Sequence, residues 1–213
     1  MKRMQIGNLP TAQQKLISVA DKEGVSNLKN QQGATRVLYD TISLDGRTTF
    51  EFFKNTQTAV NALGVNLGSN VDSNQGLLGP GEGLVIEYIS FQWLQLSAAT
   101  TSASVVKFGA VSSNGSADVN RGFYTGNFGI MVANQQILKP VSNSVFVPEF
   151  NYTITGAFDA EIYKLMTKTT ILPNLQMQIN VTVPTYATQV ATFNYLRCTI
   201  QGVGSILNLQ STL

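Results

Sequence analysis

The sequence predicts an all-β protein, an antiparallel sandwich preceded by a short basic arm, and three observations carry that prediction. From about residue 35 onward, segments rich in β-branched and aromatic residues recur between clusters of Gly, Asn, Ser and Pro. No stretch there has a convincing helical period, and no strand-helix alternation signals a parallel sheet, which disfavours βαβ enzyme folds. The segment 175–183 alternates: Leu175, Met177, Ile179, Val181 and Val183 take one face, and Gln176, Gln178, Asn180 and Thr182 the other.

In chain order, residues 1–34 form the arm and 35–213 the β body. The first 35 residues hold Lys2, Arg3, Lys15, Lys22 and Lys29 against Asp21 and Glu23, a surplus of three positive charges. Thr11 and Gln14 have capping-box spacing, and Ala12, Leu16, Val19 and Ala20 share a face, so a short helix is expected over about 11–22, ending near Gly24. Residues 25–33 are polar and lack either hydrophobic period, as a linker does. Thr35–Leu44 and Arg47–Lys54 read as strands joined by Asp45-Gly46, the type I′ hairpin dipeptide.

Further strands are expected at 84–97, 104–112, 121–133, 143–150, 161–172, 175–183 and 191–204, with surface loops at 55–83, 98–104 and 113–120. Eight strands plus an extra hairpin fill one jelly roll. Two jelly rolls would need sixteen strands, at about 11 residues for each strand with its loop. A double roll is open only with minimal loops, and the long 55–83 segment argues against it, so a single jelly roll is favoured over a double one.

Composition narrows the chemistry. Of 213 residues only 12% are charged, against about 25% in an ordinary domain. The chain has no histidine, which removes imidazole bases, Ser-His and Cys-His nucleophile pairs and most transition-metal sites. Its single cysteine, Cys198, has no partner for an internal disulfide or a thiolate metal site. No window approaches the roughly 20 apolar residues of a membrane-crossing helix. Lys2 and Arg3 are followed by Gln5, Gly7, Asn8 and Pro10, not by the apolar run of a secretory signal.

The remaining motifs read as structure. Gly76, Gly79, Gly81 and Gly83 lead into a strand and lack the helix N-terminus a phosphate loop needs. Asp159 with Glu161, or Glu82 with Glu87, are the candidate carboxylate pairs, and nothing else in the sequence marks a cleft around them. Cys198 shares a strand face with Leu196 and Ile200 and is expected to be a buried, inert thiol. Trp93, with Ile89 and Phe91, is expected in the core rather than on a sugar-stacking platform. Asp72, Asp118 and Glu149 are oxygen donors open to calcium between subunits, but no metal or other cofactor is assigned. The arm implies a partner: nucleic acid, an anionic membrane surface or, first, a neighbouring subunit, since the helix's apolar face needs cover.

Four stretches carry a resemblance. Arg36-Val37-Leu38-Tyr39-Asp40, then Thr48-Thr49-Phe50-Glu51-Phe52-Phe53-Lys54-Asn55, then Gly81-Glu82-Gly83-Leu84-Val85-Ile86-Glu87-Tyr88-Ile89, and then Phe128-Gly129-Ile130-Met131-Val132-Ala133-Asn134 resemble the coat proteins of small icosahedral bacteriophages. The likeness runs from about residue 34 to the C-terminus. It implies a structural virion protein, not an enzyme, made in the host cytoplasm, that self-assembles into a capsid shell as the major coat protein or the vertex (penton) protein. Its implied partners are other copies of itself and other capsid proteins, with packaged nucleic acid or an internal membrane reached through the arm. Lys2, Arg3, Lys15, Leu16, Val19 and Lys22 are the expected arm contacts. Coat proteins of related membrane-containing phages are often double jelly rolls, from which this chain departs by its length. The rival reading is a carbohydrate-binding β-sandwich, such as a phage spike or lectin, with Trp93, Tyr124 or Tyr152 against sugar.

Overall fold

The computed structural model describes residues 32–44, 46–54, 65–71, 77–79, 82–97, 108–111, 122–147, 162–184 and 192–206. The expected arm helix and the arm contacts Lys2, Arg3, Lys15, Leu16, Val19 and Lys22 lie outside these residues, as do Asp72, Asp118, Glu149, Tyr152, Asp159 and Glu161.

The described residues are mostly strand, in two antiparallel sheets. The larger sheet contains β1 (Gln32–Ser43), β3 (Gly68–Ser69), β4 (Leu84–Ser97), β5 (Gly109–Ala110), β8 (Ile162–Ile171) and β10 (Thr192–Ile206). Its order is β3-β1-β10-β4, with β5 and β8 both on the far side of β4. The smaller sheet contains β2 (Thr49–Phe52), β6 (Asn127–Val132), β7 (Gln135–Ser142) and β9 (Met177–Thr182), in the order β2-β9-β6-β7.

With the two-residue β3 and β5 set aside, first pairs with last. β1 pairs with β10, β2 with β9, β4 with β8, and β6 with β7. The chain therefore doubles back as one antiparallel ribbon whose successive pairs fall alternately in the larger and the smaller sheet. Contacts of β10 with β4 and of β9 with β6 close each sheet.

The Asp45-Gly46 hairpin is corrected. Gly46 has φ +75° and Arg47 N–H donates to Leu44 O at 2.8 Å, so a turn is present, but it joins the two sheets. Leu44 N–H still donates to Asn194 O of β10, whereas Thr48 O already accepts from Val183 N–H beyond β9. The cause is burial: Leu38 and Leu44 on one side and Phe50 and Phe52 on the other are all in the core. Two such apolar faces are both covered when they oppose each other across a sandwich. The two-residue hairpin of the positive-φ kind lies instead at Ala133 and Asn134, φ 48° and 63°, between β6 and β7.

Four other expectations change. The strand expected over 143–150 is not found in its described part: Asn143–Phe146 is a 3-10 helix, capped by the Ser142 hydroxyl accepting from Ser144 N–H, and 148–150 lie outside the described residues. β7, just before it, was not expected, because Gln135, Gln136, Lys139 and Pro140 are exposed and show no period. The 121–133 strand is shorter, since 122–124 make a helical turn before β6. Within 55–83, Val65, Val71 and Leu78 are buried, so parts of that loop serve as cover for the core.

Between the sheets Phe91 is the hub of an aromatic cluster. Its ring meets Phe52, Phe123, Phe128 and Phe146 with centroids 5.9, 5.5, 6.1 and 5.2 Å away, all edge-on. Asn143, fully buried, donates from Nδ2 to Phe123 O at 2.9 Å and to Thr182 O at 3.4 Å, tying the 3-10 helix to the end of β9. At the β10 irregularity, Gly202 is required by space: a Cβ there would stand 1.8 Å from Val85 O.

Candidate functional site

The outward face of the larger sheet follows from strand alternation. Leu196, Cys198 and Ile200 point into the core, so Tyr195, Arg197, Thr199 and Gln201 point out. Beside them on β4, Tyr88, Ser90, Gln92, Leu94 and Leu96 also point out, and on β1 Val37, Tyr39 and Thr41 do so.

This face has two zones. At one end Leu94, Leu96 and Tyr195 are buried with Val65, and Leu67 and Phe108 pack against them. That small second core explains the run Leu94-Gln95-Leu96, whose apolar residues lie opposite to those of the main core. Further along the face is open, and Tyr88, Ser90, Ile162, Thr199 and Gln201 line a trough of about 260 Å³. Its hydroxyls and amide sit between two cations: Lys164 lies 5.8 Å from the Tyr88 ring centre, and Arg197 stands two residues before Thr199.

Arg197 is held from three directions. Its guanidinium carbon is 4.0 Å from the Phe108 ring centre and 4.8 Å from that of Tyr39, and its Nε donates to Thr41 Oγ1 at 2.9 Å. Burial lowers its pKa from the ordinary arginine value, partly offset by its electrostatic interaction with Tyr39. Nothing in the sequence singled out Arg197 or Phe108, because their meeting depends on a loop segment far from β10 in the chain.

At the edge of this sheet β8 is interrupted. Between the pairs Ile86 with Thr169 and Tyr88 with Lys164, β4 has one residue, Glu87, and β8 has four. The Lys168 ammonium bonds Glu87 across this irregularity, and Met166, 95% exposed, stands within it.

The sequence-derived candidates are distributed as follows. Glu82 and Glu87 do not form a pair; Glu82 binds Arg36 at 3.0 Å and also accepts from Gly79 N–H, while Glu87 binds Lys168. The glycine run therefore leads into β4 through a carboxylate-braced turn. Cys198 is fully buried, and burial pushes its thiol well above the usual range, with Asp40 adding to it. Trp93 is fully buried, its Nε1 donating to Asn194 Oδ1 at 3.2 Å, so no sugar platform exists there. Tyr124 is half-buried against the core. Among the described residues no group of three or more Cys, Asp or Glu could hold a metal, and no described helix is long and apolar enough to cross a membrane.

One charged residue missed in the sequence is Asp40. It lies on the inner face of β1, 2% exposed, with Oδ2 accepting from Phe53 N–H and Oδ1 without a hydrogen-bond partner among the described residues. Burial raises its carboxyl from 3.8 to about 6, against the hydrogen bonds from the backbone of Phe53 and Thr41. Phe53 itself has φ 65°, a left-handed conformation unusual for an aromatic residue.

No protein-family model matches the chain, and no curated protein matches it.

Proposed function

We propose that this chain is a structural virion protein that self-assembles into an icosahedral capsid shell, as major coat or vertex protein, on a single jelly roll. The observation that carries the reading is the first-with-last pairing of its eight strands of four residues or more. A ribbon paired in that way, with four strands in each sheet once the two-residue β3 and β5 are set aside, fits the jelly-roll plan, which capsid proteins use to make a rigid brick. The resemblance of residues 34 onward to phage coat proteins points the same way, as does the low charge, which lets subunits pack without desolvating many ions.

Jelly rolls also serve lectins, so the rival carbohydrate reading is judged on its own residues. Its main aromatic, Trp93, is in the core, Tyr124 is half-buried and Tyr152 lies outside the described residues; among the described residues the trough around Tyr88 and Gln201 is the opening that suits it. Light scattering with negative-stain imaging across salt and protein concentration separates the two. Closed particles or symmetric rings are expected. A monodisperse monomer or trimer at the highest concentration overturns the coat reading, and glycan binding in the trough then becomes the reading to test.

A further inference from the structure

Seven cations lie among the described residues, and three of them use up the surface carboxylates described there. Arg36 holds Glu82, Lys54 holds Glu51 at 2.6 Å, and Lys168 holds Glu87. The fourth described acid, Asp40, points into the core. Arg197 is thus left on the outward face of the larger sheet with no described carboxylate. It is not a loose surface charge, because Tyr39, Phe108 and Thr41 fix it. Thr41 takes the Nε hydrogen and the rings cover the guanidinium, so among the described residues nothing bonds its two terminal amino groups. Those are the pair that grips a carboxylate through two parallel hydrogen bonds.

We propose that Arg197 anchors an interface between copies of this chain, receiving a carboxylate from a second copy. The inference rests on the self-assembly reading. Charge complementarity identifies the occupant: residues 148–161 contain Glu149, Asp159 and Glu161 and no Lys or Arg. The receiving face contributes Arg197 and Lys164, with the Lys168 and Glu87 charges already cancelled. The trough between the two cations offers Ser90, Thr199 and Gln201 to the incoming chain's polar groups. Preorganisation makes such a contact selective, since the arginine's freedom is already restricted before the partner arrives.

The test uses the full chain. Assembly of the wild type is first followed by light scattering at low and at moderate salt. If the wild type never assembles, the self-assembly reading fails and this inference with it. If it assembles, Arg197→Gln and Arg197→Lys are compared with it, circular dichroism and thermal melting confirming the fold. The expected result for Arg197→Gln is a threshold concentration for assembly raised about tenfold, the effect of a lost ion pair of ordinary strength. For Arg197→Lys, a zero-length carbodiimide is applied to an assembled mixture of 14N- and 15N-labelled chains. An isopeptide of mixed isotope, joining the substituted position to Glu149, Asp159 or Glu161, is expected. An unchanged threshold with a folded Arg197→Gln, or an isopeptide confined to one isotope, overturns this interface and leaves the coat reading standing.

Discussion

Asp40→Asn separates the consequence of a buried charge from everything else in the fold. In the native protein the carboxyl is 2% exposed and titrates at about 6, and in the unfolded chain it returns to the ordinary 3.8. The folded state therefore binds the proton more tightly. The stability this provides is complete below about pH 3.8 and is lost as the pH rises through about 6. From 3.8 to about 6, at 1.36 kcal/mol per pH unit, the loss amounts to about 3 kcal/mol, most of it complete by neutral pH. Asparagine is neutral throughout and keeps an oxygen for Phe53 N–H. The advantage of Asp40→Asn over the wild type should therefore grow by about 2.5 kcal/mol between about pH 4 and about pH 8. Any constant difference in packing or hydrogen bonding cancels from that change. Neighbouring Cys198 does not confuse it, because its thiol is pushed well above the usual range and keeps its proton in this interval. Urea titrations at a series of pH values, below the concentration at which copies associate, are read by the fluorescence of Trp93, the chain's only tryptophan. A difference between variant and wild type that stays flat with pH refutes the reasoning. It would mean that Asp40 is hydrated or paired and carries its charge at no cost.

Three further substitutions probe the frame that positions the outward face. Gly202→Ala places a Cβ 1.8 Å from Val85 O, so β10 and β4 must part, and a loss of about 3 kcal/mol in urea unfolding is expected. Phe91→Ala removes the ring at the centre of four edge-on contacts and should cost about 4 kcal/mol, measured in the same way. Ala133→Asn substitutes a residue that tolerates left-handed backbone where φ is 48°, and a gain of about 1 kcal/mol is expected.

What the sequence disclosed was set by how local the signal is. β4, 84–97, has the expected bounds because its apolar residues and flanking glycines are contiguous, and β9 was legible from its alternation, which becomes alternate burial in the sheet. Cys198 and Trp93 were legible as core residues from their strand-face neighbours. The sheet to which a strand belongs was not: Asp45-Gly46 specifies a turn, yet whether the flanking strands pair is decided by β10 and β9, more than a hundred residues away. β7 was invisible because an exposed edge strand has no buried face to impose a period. Asp40 and Arg197 were missed for a related reason. Their properties come from burial between the sheets beside Phe53 N–H in one case, and from Tyr39, Thr41 and Phe108 in the other, and no spacing within β1 or β10 encodes those meetings.

The edges of the two sheets bear on how copies can meet. A sandwich has open edges, and an exposed strand edge invites another strand to pair with it. Here β2 is only four residues long, and β7 carries Lys139 and Pro140, the second of which has no N–H to donate. β8 departs from regular pairing over four residues, where Lys168 closes onto Glu87 and Met166 projects. Each device breaks the row of backbone groups a neighbouring strand would need. Contact through a continuous intermolecular sheet is thereby disfavoured along these edges. A held but unmatched guanidinium on an open sheet face fits that constraint: it offers a directional contact, weakened by salt, that can be repeated by symmetry without running the sheet from one copy into the next.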